Sequence, residues 1–270
     1  HDWVHAINED HKGNLWIGTF FGIARYVSRA DSFIHINPAM TLLSRRVSYI
    51  MEDSHHRLWI ATQGGGVTCL EHGKSDNRFK STHYFNIQSD TNSLSSNRTF
   101  SLLEDNEENI WVATDYGVNR INPKTRNVKR ITLEDGLPHE MIMALMKDKK
   151  GNIWLGHKKG ISRISLPDFT IDHYSREDGL INEEIAENGF YKNPLTGEMF
   201  LGTNQGLSSF YPVGLELNKT LPDIVFTGFK VLNQEVTYHK TINGKRILSQ
   251  SMYTTDTIQL KYKYNDFSIE

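Results

Sequence analysis

Eight residues at loop positions carry side chains suited to recognising a polar ligand: Phe20, Phe21, Arg45, Arg46, Arg98, Tyr116, His139 and Lys158. The aromatic rings offer stacking faces. The cationic and imidazole groups offer hydrogen bonds, charge-assisted where the partner is an anion such as an acidic sugar. Arg45-Arg46 or Lys158-Lys159 taken alone reads first as a solvated loop pair. Phe20-Phe21 is more informative, because two large aromatics at a loop tip either pack on a neighbour or meet a ligand or domain. Catalytic chemistry finds little support. There is no Gly-x-Ser-x-Gly elbow, and the carboxylates are too scattered to be matched to glycosidase spacing. No catalytic residue is assigned.

Metal chemistry is weakly supported too. Asp10, Asp53, Asp105 and Asp148 each stand alone at a tight turn. A lone acid there caps the turn through its side chain, whereas calcium needs several clustered oxygens. The twelve histidines include the adjacent His55-His56 in a turn but no His-x-x-x-His on a helix. They read as surface histidines, and neither metal nor cofactor is expected.

The elements that must position these residues are repeats. Asp148-Lys149-Lys150-Gly151-Asn152-Ile153-Trp154-Leu155-Gly156 runs to Gly160-Ile161, a polar turn feeding an apolar strand and then a glycine turn. The same sentence is written around Trp16, Trp59 and Trp111, and in degenerate form around Phe200. These anchors are separated by 43, 52, 43 and 46 residues. A period in the forties with short strands and turn glycines predicts four-stranded propeller blades. Tryptophans at a fixed strand position fit inter-blade core better than exposed sugar platforms.

Each repeat opens with an apolar segment, such as Val47–Met51 or Ile142–Met146, expected as the innermost strand. The tryptophan strand is second, the strand after the glycine third, and an outer strand fourth. Antiparallel alternation then assigns loops to faces. The aspartate turns share one face with the third-to-fourth hairpins. The glycine-turn tips (Phe20, Phe21, Gln63, Asp115, Tyr116, His157, Lys158, Lys159, Asn204, Gln205) share the other with the blade-crossing loops. Those loops add Arg45, Arg46, Asn97, Arg98, His139, Glu140, Asn182, Glu183 and Glu184. Loops on a rigid scaffold are where function concentrates.

Composition fits an ordinary polar globular chain. Of its 270 residues 38% are hydrophobic and 23% charged, with formal net charge −2. The near-neutral balance argues against a dedicated nucleic-acid surface. No apolar run approaches the ~20 residues of a membrane span. No signal peptide is visible, and targeting information is expected elsewhere in a longer protein. Cys69, the single cysteine, excludes an intramolecular disulfide and leaves the compartment open. After Tyr211-Pro212 the periodicity stops, which places the boundary between residues 1–212 and 213–270. A second all-β segment is expected to open at Pro222–Val231. Ile258–Tyr264 alternates with period two, as a strand would. Asn265-Asp266 reads as a turn and Phe267–Glu270 as the start of a further strand.

The repeat Asp-x-x-Gly-Asn-Leu-Trp-Ile-Gly-Thr-x-x-Gly-Ile resembles the two-component-regulator propeller repeat, as do the crossing loops Asn92–Asn97 and Glu134–Pro138. Phe229–Asn233 and Leu260–Ser268 resemble the Tyr-rich β-sandwich domain that follows such propellers. The resemblance implies an all-β chain: about five blades of a propeller that usually closes with seven, then an incomplete Ig-like β-sandwich. It implies a periplasmic sensor region of a hybrid two-component system that detects oligosaccharides and controls glycan-utilisation genes. A homodimer, a membrane tether, and a kinase and DNA-binding output beyond residue 270 go with it, without direct nucleic-acid contact by this region. A propeller enzyme acting on glycans, lyase or hydrolase, and a protein-binding scaffold are the alternatives.

Overall fold

A computed structural model describes residues 3–36, 42–72, 79–213, 215, 226–252, 255 and 257–270. The chain divides into two compact units, 1–216 and 217–270. The first unit is a succession of antiparallel meanders. β1 (Val4–Glu9), β2 (Leu15–Thr19), β3 (Gly22–Val27) and β4 (Ser32–Ile36) pair in sequence order. So do β5 (Val47–Glu52), β6 (Leu58–Thr62), β7 (Gly66–His72) and β8 (Phe79–Tyr84). β9 (Thr99–Glu104), β10 (Ile110–Thr114), β11 (Gly117–Ile121) and β12 (Val128–Ile131) form the third sheet. β13 (Ile142–Lys147), β14 (Ile153–His157), β15 (Gly160–Ser165) and β16 (Thr170–Tyr174) form the fourth. The fifth repeat has three strands among the described residues, β17 (Ile185–Lys192), β18 (Met199–Thr203) and β19 (Gly206–Phe210).

The first strands β1, β5, β9, β13 and β17 pack side by side in that order, so each sheet is a blade and these are its inner edges. The core lies between blades. Trp16 and Ile23 meet Val47, Ile50 and Leu58; Trp59 and Val67 meet Leu102, Ile110 and Val112; Trp111 and Val118 meet Ile142 and Leu155. The architecture is all-β, of propeller type.

Each tryptophan is tied to its own turn. The aspartate Oδ1 accepts backbone N–H groups two and four residues on, as Asp10 does from Lys12 (3.0 Å) and Asn14 (2.8 Å). The Oδ2 accepts the indole Nε1–H six residues on, at 2.9 Å for Trp16, 2.7 Å for Trp59, 2.9 Å for Trp111 and 3.1 Å for Trp154. Asn14, Arg57, Arg120 and Asn152 add further donors to these carboxylates. The oxygens are thus consumed by the turn and the indole, which is the capping role expected from sequence. Burial by itself would raise the Asp105 carboxyl. The hydrogen bonds from Trp111, Asn109 and Arg120 outweigh it and hold the group below its ordinary value, and Asp10 is lowered by the corresponding set. In the fifth blade the turn is one residue longer, with Asn193 in place of the acid seven residues before Phe200, which stands in place of the indole. The Asn193 Oδ1 still accepts from Leu195 (2.9 Å) and Thr196 (3.3 Å).

Successive blades are fastened by a second repeated bond. The turn-glycine N–H donates to a crossing-loop carbonyl ahead of the next blade: Gly66 to Asn97 (2.9 Å), Gly117 to Glu140 (2.6 Å) and Gly160 to Glu183 (2.9 Å). These glycines have φ of +70°, +87° and +109°. A Cβ on them would lie 2.2, 2.3 and 2.2 Å from the carbonyl oxygens of Tyr84, Ile131 and Tyr174. Only glycine satisfies both demands.

The second unit buries Phe229, Val231, Val236, Ile242, Leu248 and Tyr264. β20 (Phe229–Val231) is central, flanked by β21 (Gln234–Glu235) and β24 (Phe267–Ile269). β22 (Thr241–Ile242) and β23 (Lys245–Arg246) make a hairpin. The expected opening at Pro222–Val231 lies outside the described residues up to Val225 and is a strand from Phe229. Ile258–Tyr264, expected as a strand, differs. Ile258 and Leu260 pack on the core, but the segment has no ladder partner among the described residues and ends in a 3-10 turn at Tyr262–Tyr264. Alternation gives a strand its faces; a paired neighbour gives it its hydrogen bonds.

Two stability outcomes follow from these geometries, both read by urea unfolding of the chain. Trp111→Phe removes the donor to a carboxylate with no exposed surface and should cost about 1–3 kcal/mol, against about 3–5 kcal/mol for Trp111→Ala. Gly117→Ala should destabilise by more than about 2 kcal/mol. Gly136→Ala, with φ of +99° but nothing within 4 Å of its Cβ, should cost only the backbone strain of about 1 kcal/mol. Equal losses at the two glycines would refute the close-approach explanation.

Candidate functional site

The glycine turns and crossing loops do share one face. Gln63 N–H donates to Arg46 O (2.8 Å), Gln63 and Arg98 form a β-bridge, and Asp115 N–H donates to Arg98 O (3.3 Å). The loop after each blade is thereby sewn to the turn of a neighbouring one, and the candidate residues sit at these seams.

Phe20 packs on its neighbours rather than projecting. Its ring lies 5.3 Å from Trp3 and 4.7 Å, edge-on, from His5, and the Arg46 guanidinium sits 4.3 Å above its centroid. Phe21 takes the other part. Its N–H is fixed on Thr19 Oγ1 (3.0 Å) while the side chain is 57% exposed. Arg98 lies over Phe100 at 5.4 Å. Tyr116, 54% exposed, hangs from a turn pinned by Thr114 Oγ1 (3.0 Å). His139 Nδ1 accepts Met141 N–H (3.0 Å), and its ring lies parallel to His157 at 6.3 Å. Arg45 and Lys158 are exposed. The fold therefore joins Phe20 to Arg46, links Arg46 to Arg98 through the Gln63 backbone, and pairs His139 with His157. Phe21, Arg45, Tyr116 and Lys158 lie on the same face.

Besides Asp115, Glu140, Glu183 and Glu184, expected on this face from sequence, the fold adds Glu187 to it. β17 pairs Ile185 with Thr203 and then Phe190 with Leu201, so Ala186–Gly189 bulge out opposite Gly202 alone. Asn188 adopts φ of +53° and donates from Nδ2 to Ser48 O (3.3 Å), and Glu187 Oε1 accepts from Gln63 Nε2 (3.4 Å). The inner strand of the fifth blade thus reaches the second, bringing a carboxylate beside the seam that carries Arg46 and Arg98. The Asn188-Gly189 dipeptide was the available signal, since it favours left-handed backbone. Grooves lined by His55, Arg57, Glu107 and Lys124, and by Tyr84, Asp90, Ser93 and Arg126, include none of the eight candidates.

His157 is the buried exception. The equivalent positions are Thr19, Thr62, Thr114 and Thr203, whose hydroxyls donate to the turn-glycine carbonyl at 3.2, 2.9, 2.8 and 3.0 Å. The imidazole takes over the acceptor half of that role: Nδ1 accepts Lys159 N–H (3.2 Å), leaving Nε2–H for Ser162 Oγ (2.9 Å). Burial, then the charges of His173, His139 and Lys159, push its pKa down to about 3. Between there and roughly 6.5, the ordinary histidine value, the unfolded chain binds a proton that the folded chain does not. Stability should therefore fall as pH is lowered through that window. His157→Thr should flatten the dependence of Tm on pH between about 6.5 and 4; an unchanged slope would show that other groups set it.

Residues 1–21, 41–64, 93–116 and 136–159 match the two component regulator propeller family. Histidine kinase P4 of Formosa agariphila is 26% identical over 98% of this chain, which spans only 19% of that protein. The extracellular domain of a putative one component system of B. thetaiotaomicron superposes on the whole chain with a TM-score of 0.63 at 22% identity, the match covering 40% of that structure. Virginiamycin B lyase of Staphylococcus aureus matches 77% of this chain and 70% of its own, with a TM-score of 0.55 at 14% identity. At these identities the structural likenesses establish fold alone. No helix among the described residues is long and apolar enough to cross a membrane. The four tryptophan-anchored repeats of the first unit are thus similar to two component regulator propeller repeats.

Proposed function

We propose that this chain is the periplasmic ligand-sensing region of a hybrid two-component sensor that detects oligosaccharides and controls glycan-utilisation genes. The observation that carries the reading is the seam chemistry of the crossing-loop face. The Arg46 and Arg98 carbonyls accept the Gln63 and Asp115 backbone N–H groups at the seams, the Glu187 carboxylate reaches Gln63 from another blade, and the rings of Phe21 and Tyr116 and the cations of Arg45 and Lys158 are exposed on the same face. The rings suit stacking on sugar rings, and the cations suit hydrogen bonding to hydroxyl or uronate oxygens. A ligand spanning two seams makes contacts that depend on how the blades are set, and a ligand shifts an equilibrium only by such differential contacts. The similarity to a histidine kinase and to an extracellular domain of a putative one component system supports the setting. In the whole protein the region works as a homodimer, tethered to the membrane, with kinase output beyond residue 270.

Calorimetric titration against neutral and uronic-acid-containing oligosaccharides, with product analysis of each mixture, tests the reading. Saturable binding without turnover is expected. Arg46→Ala and Tyr116→Ala should each weaken it by about tenfold or more, equivalent to about 1.4 kcal/mol. Turnover would replace the sensor by a glycan-acting enzyme, and absence of binding by the folded chain would remove the site from this region.

A further inference from the structure

The opposite face, that of the aspartate turns, brings together three groups from two blades. His11 comes from the turn between β1 and β2, Glu52 ends β5, and His56 lies in the turn after it. Glu52 Oε1 is 2.6 Å from His11 Nδ1 and 3.8 Å from His56 Nδ1, and ligand atoms of all three lie within 4.8 Å of one another. The two imidazoles stack with centroids 3.7 Å apart. We propose that His11, Glu52 and His56 form a binding site for a divalent transition-metal ion of the Zn²⁺ class, which fastens the first blade to the second.

The donor chemistry and its setting point to a cation rather than to a chance cluster. Two imidazoles and one carboxylate are the donor set that suits zinc and its neighbours, and three protein ligands leave a position for water or a fourth group. Bonds of about 2.0–2.1 Å place tetrahedral ligand atoms about 3.3 Å apart, between the two Glu52–histidine separations present here, and the set is completed when the stacked rings swing apart so that both lone pairs converge on one ion. Glu52 is already oriented, because its Oε2 accepts His11 N–H at 2.7 Å and leaves Oε1 turned to the rings. The neighbouring seam shows what this latch does without histidine. There Ser54 N–H and Oγ–H satisfy both oxygens of Glu104 at 2.9 and 2.7 Å. His56 occupies the left-handed turn position, φ +60°, as Glu108 does at +65° in the third blade and Gly13 and Gly151 do at +79° and +90° in the first and fourth.

The sibling turns supply variants that should fold: His56→Gly restores the repeat glycine, and His11→Ser copies Ser54. Titration of the chain with Zn²⁺ alone should show one saturable event in the parent and in His55→Ala, whose ring pairs with Glu108 instead. That event should weaken at least ~10-fold in His56→Gly and in His11→Ser. Zn²⁺ should raise Tm in the parent and not in these two variants. Binding should weaken in acid, where protons compete for the imidazoles. Absence of saturable Zn²⁺ binding, or binding and Tm shift unaltered by both substitutions, would overturn the proposal. The test is independent of the oligosaccharide reading, since these groups lie on the other face.

Discussion

The contact on which the propeller depends is a hydrogen bond from a buried indole to the carboxylate that closes its own turn. A tryptophan with no exposed surface brings a large apolar area to the inter-blade space but also a polar N–H that must be satisfied there. The aspartate six residues earlier answers that need while its other oxygen caps the turn, so one side chain fixes both strand register and ring orientation. The carboxylate in turn is tolerable in a low-dielectric setting only because every oxygen is matched by donors. Where Phe200 lacks the donor, Asn193 lacks the charge.

With the rings fixed between sheets, the remaining problem is the order of the sheets, and the glycine turns settle it. Their N–H groups are aimed at the crossing loops, and their missing Cβ atoms let the carbonyls of the outer strands pass beneath. The same backbone bonds hold the loops that carry the candidate binding groups. Rigidity and recognition are therefore built from one set of contacts, which is why a ligand on that face would be sensitive to blade setting. The aspartate face carries a different seam, made by side chains: Glu52 and Glu104 each receive the first turn residue of the preceding blade.

Several consequences of closing this geometry are specific to single blades. His157 fills a threonine position with a larger group, and burial there leaves it uncharged. Cys69 is similarly enclosed, its thiol pushed up to about 12 by burial, so it behaves as a small apolar core residue. At the first blade Ile7 is 64% exposed, whereas Ile50 and Leu145 at the matching inner-strand positions are buried. That difference comes from which sheet lies alongside and not from the residue types, which are equivalent.

Much of this was legible from the amino acids alone. The spacing of Trp16, Trp59, Trp111 and Trp154, their aspartates and the turn glycines define blades, strand order and the two faces. The bonds responsible are local: six residues from acid to indole, three or four from threonine to glycine. What required the tertiary structure joins groups far apart in sequence. Phe20 and Phe21 are chemically alike, and only the positions of Trp3, His5 and Arg46 send one inward and leave the other exposed. Glu187 reaches Gln63 through a bulge that strand periodicity does not encode. His11 and His56 belong to different turns, unremarkable singly, and meet because adjacent blades bring equivalent loops together. Ile258–Tyr264 shows the converse, since its alternation names a buried side but cannot supply a partner strand. Local hydrogen bonds and periodicity determine what each repeat is; packing between repeats decides which side chains meet.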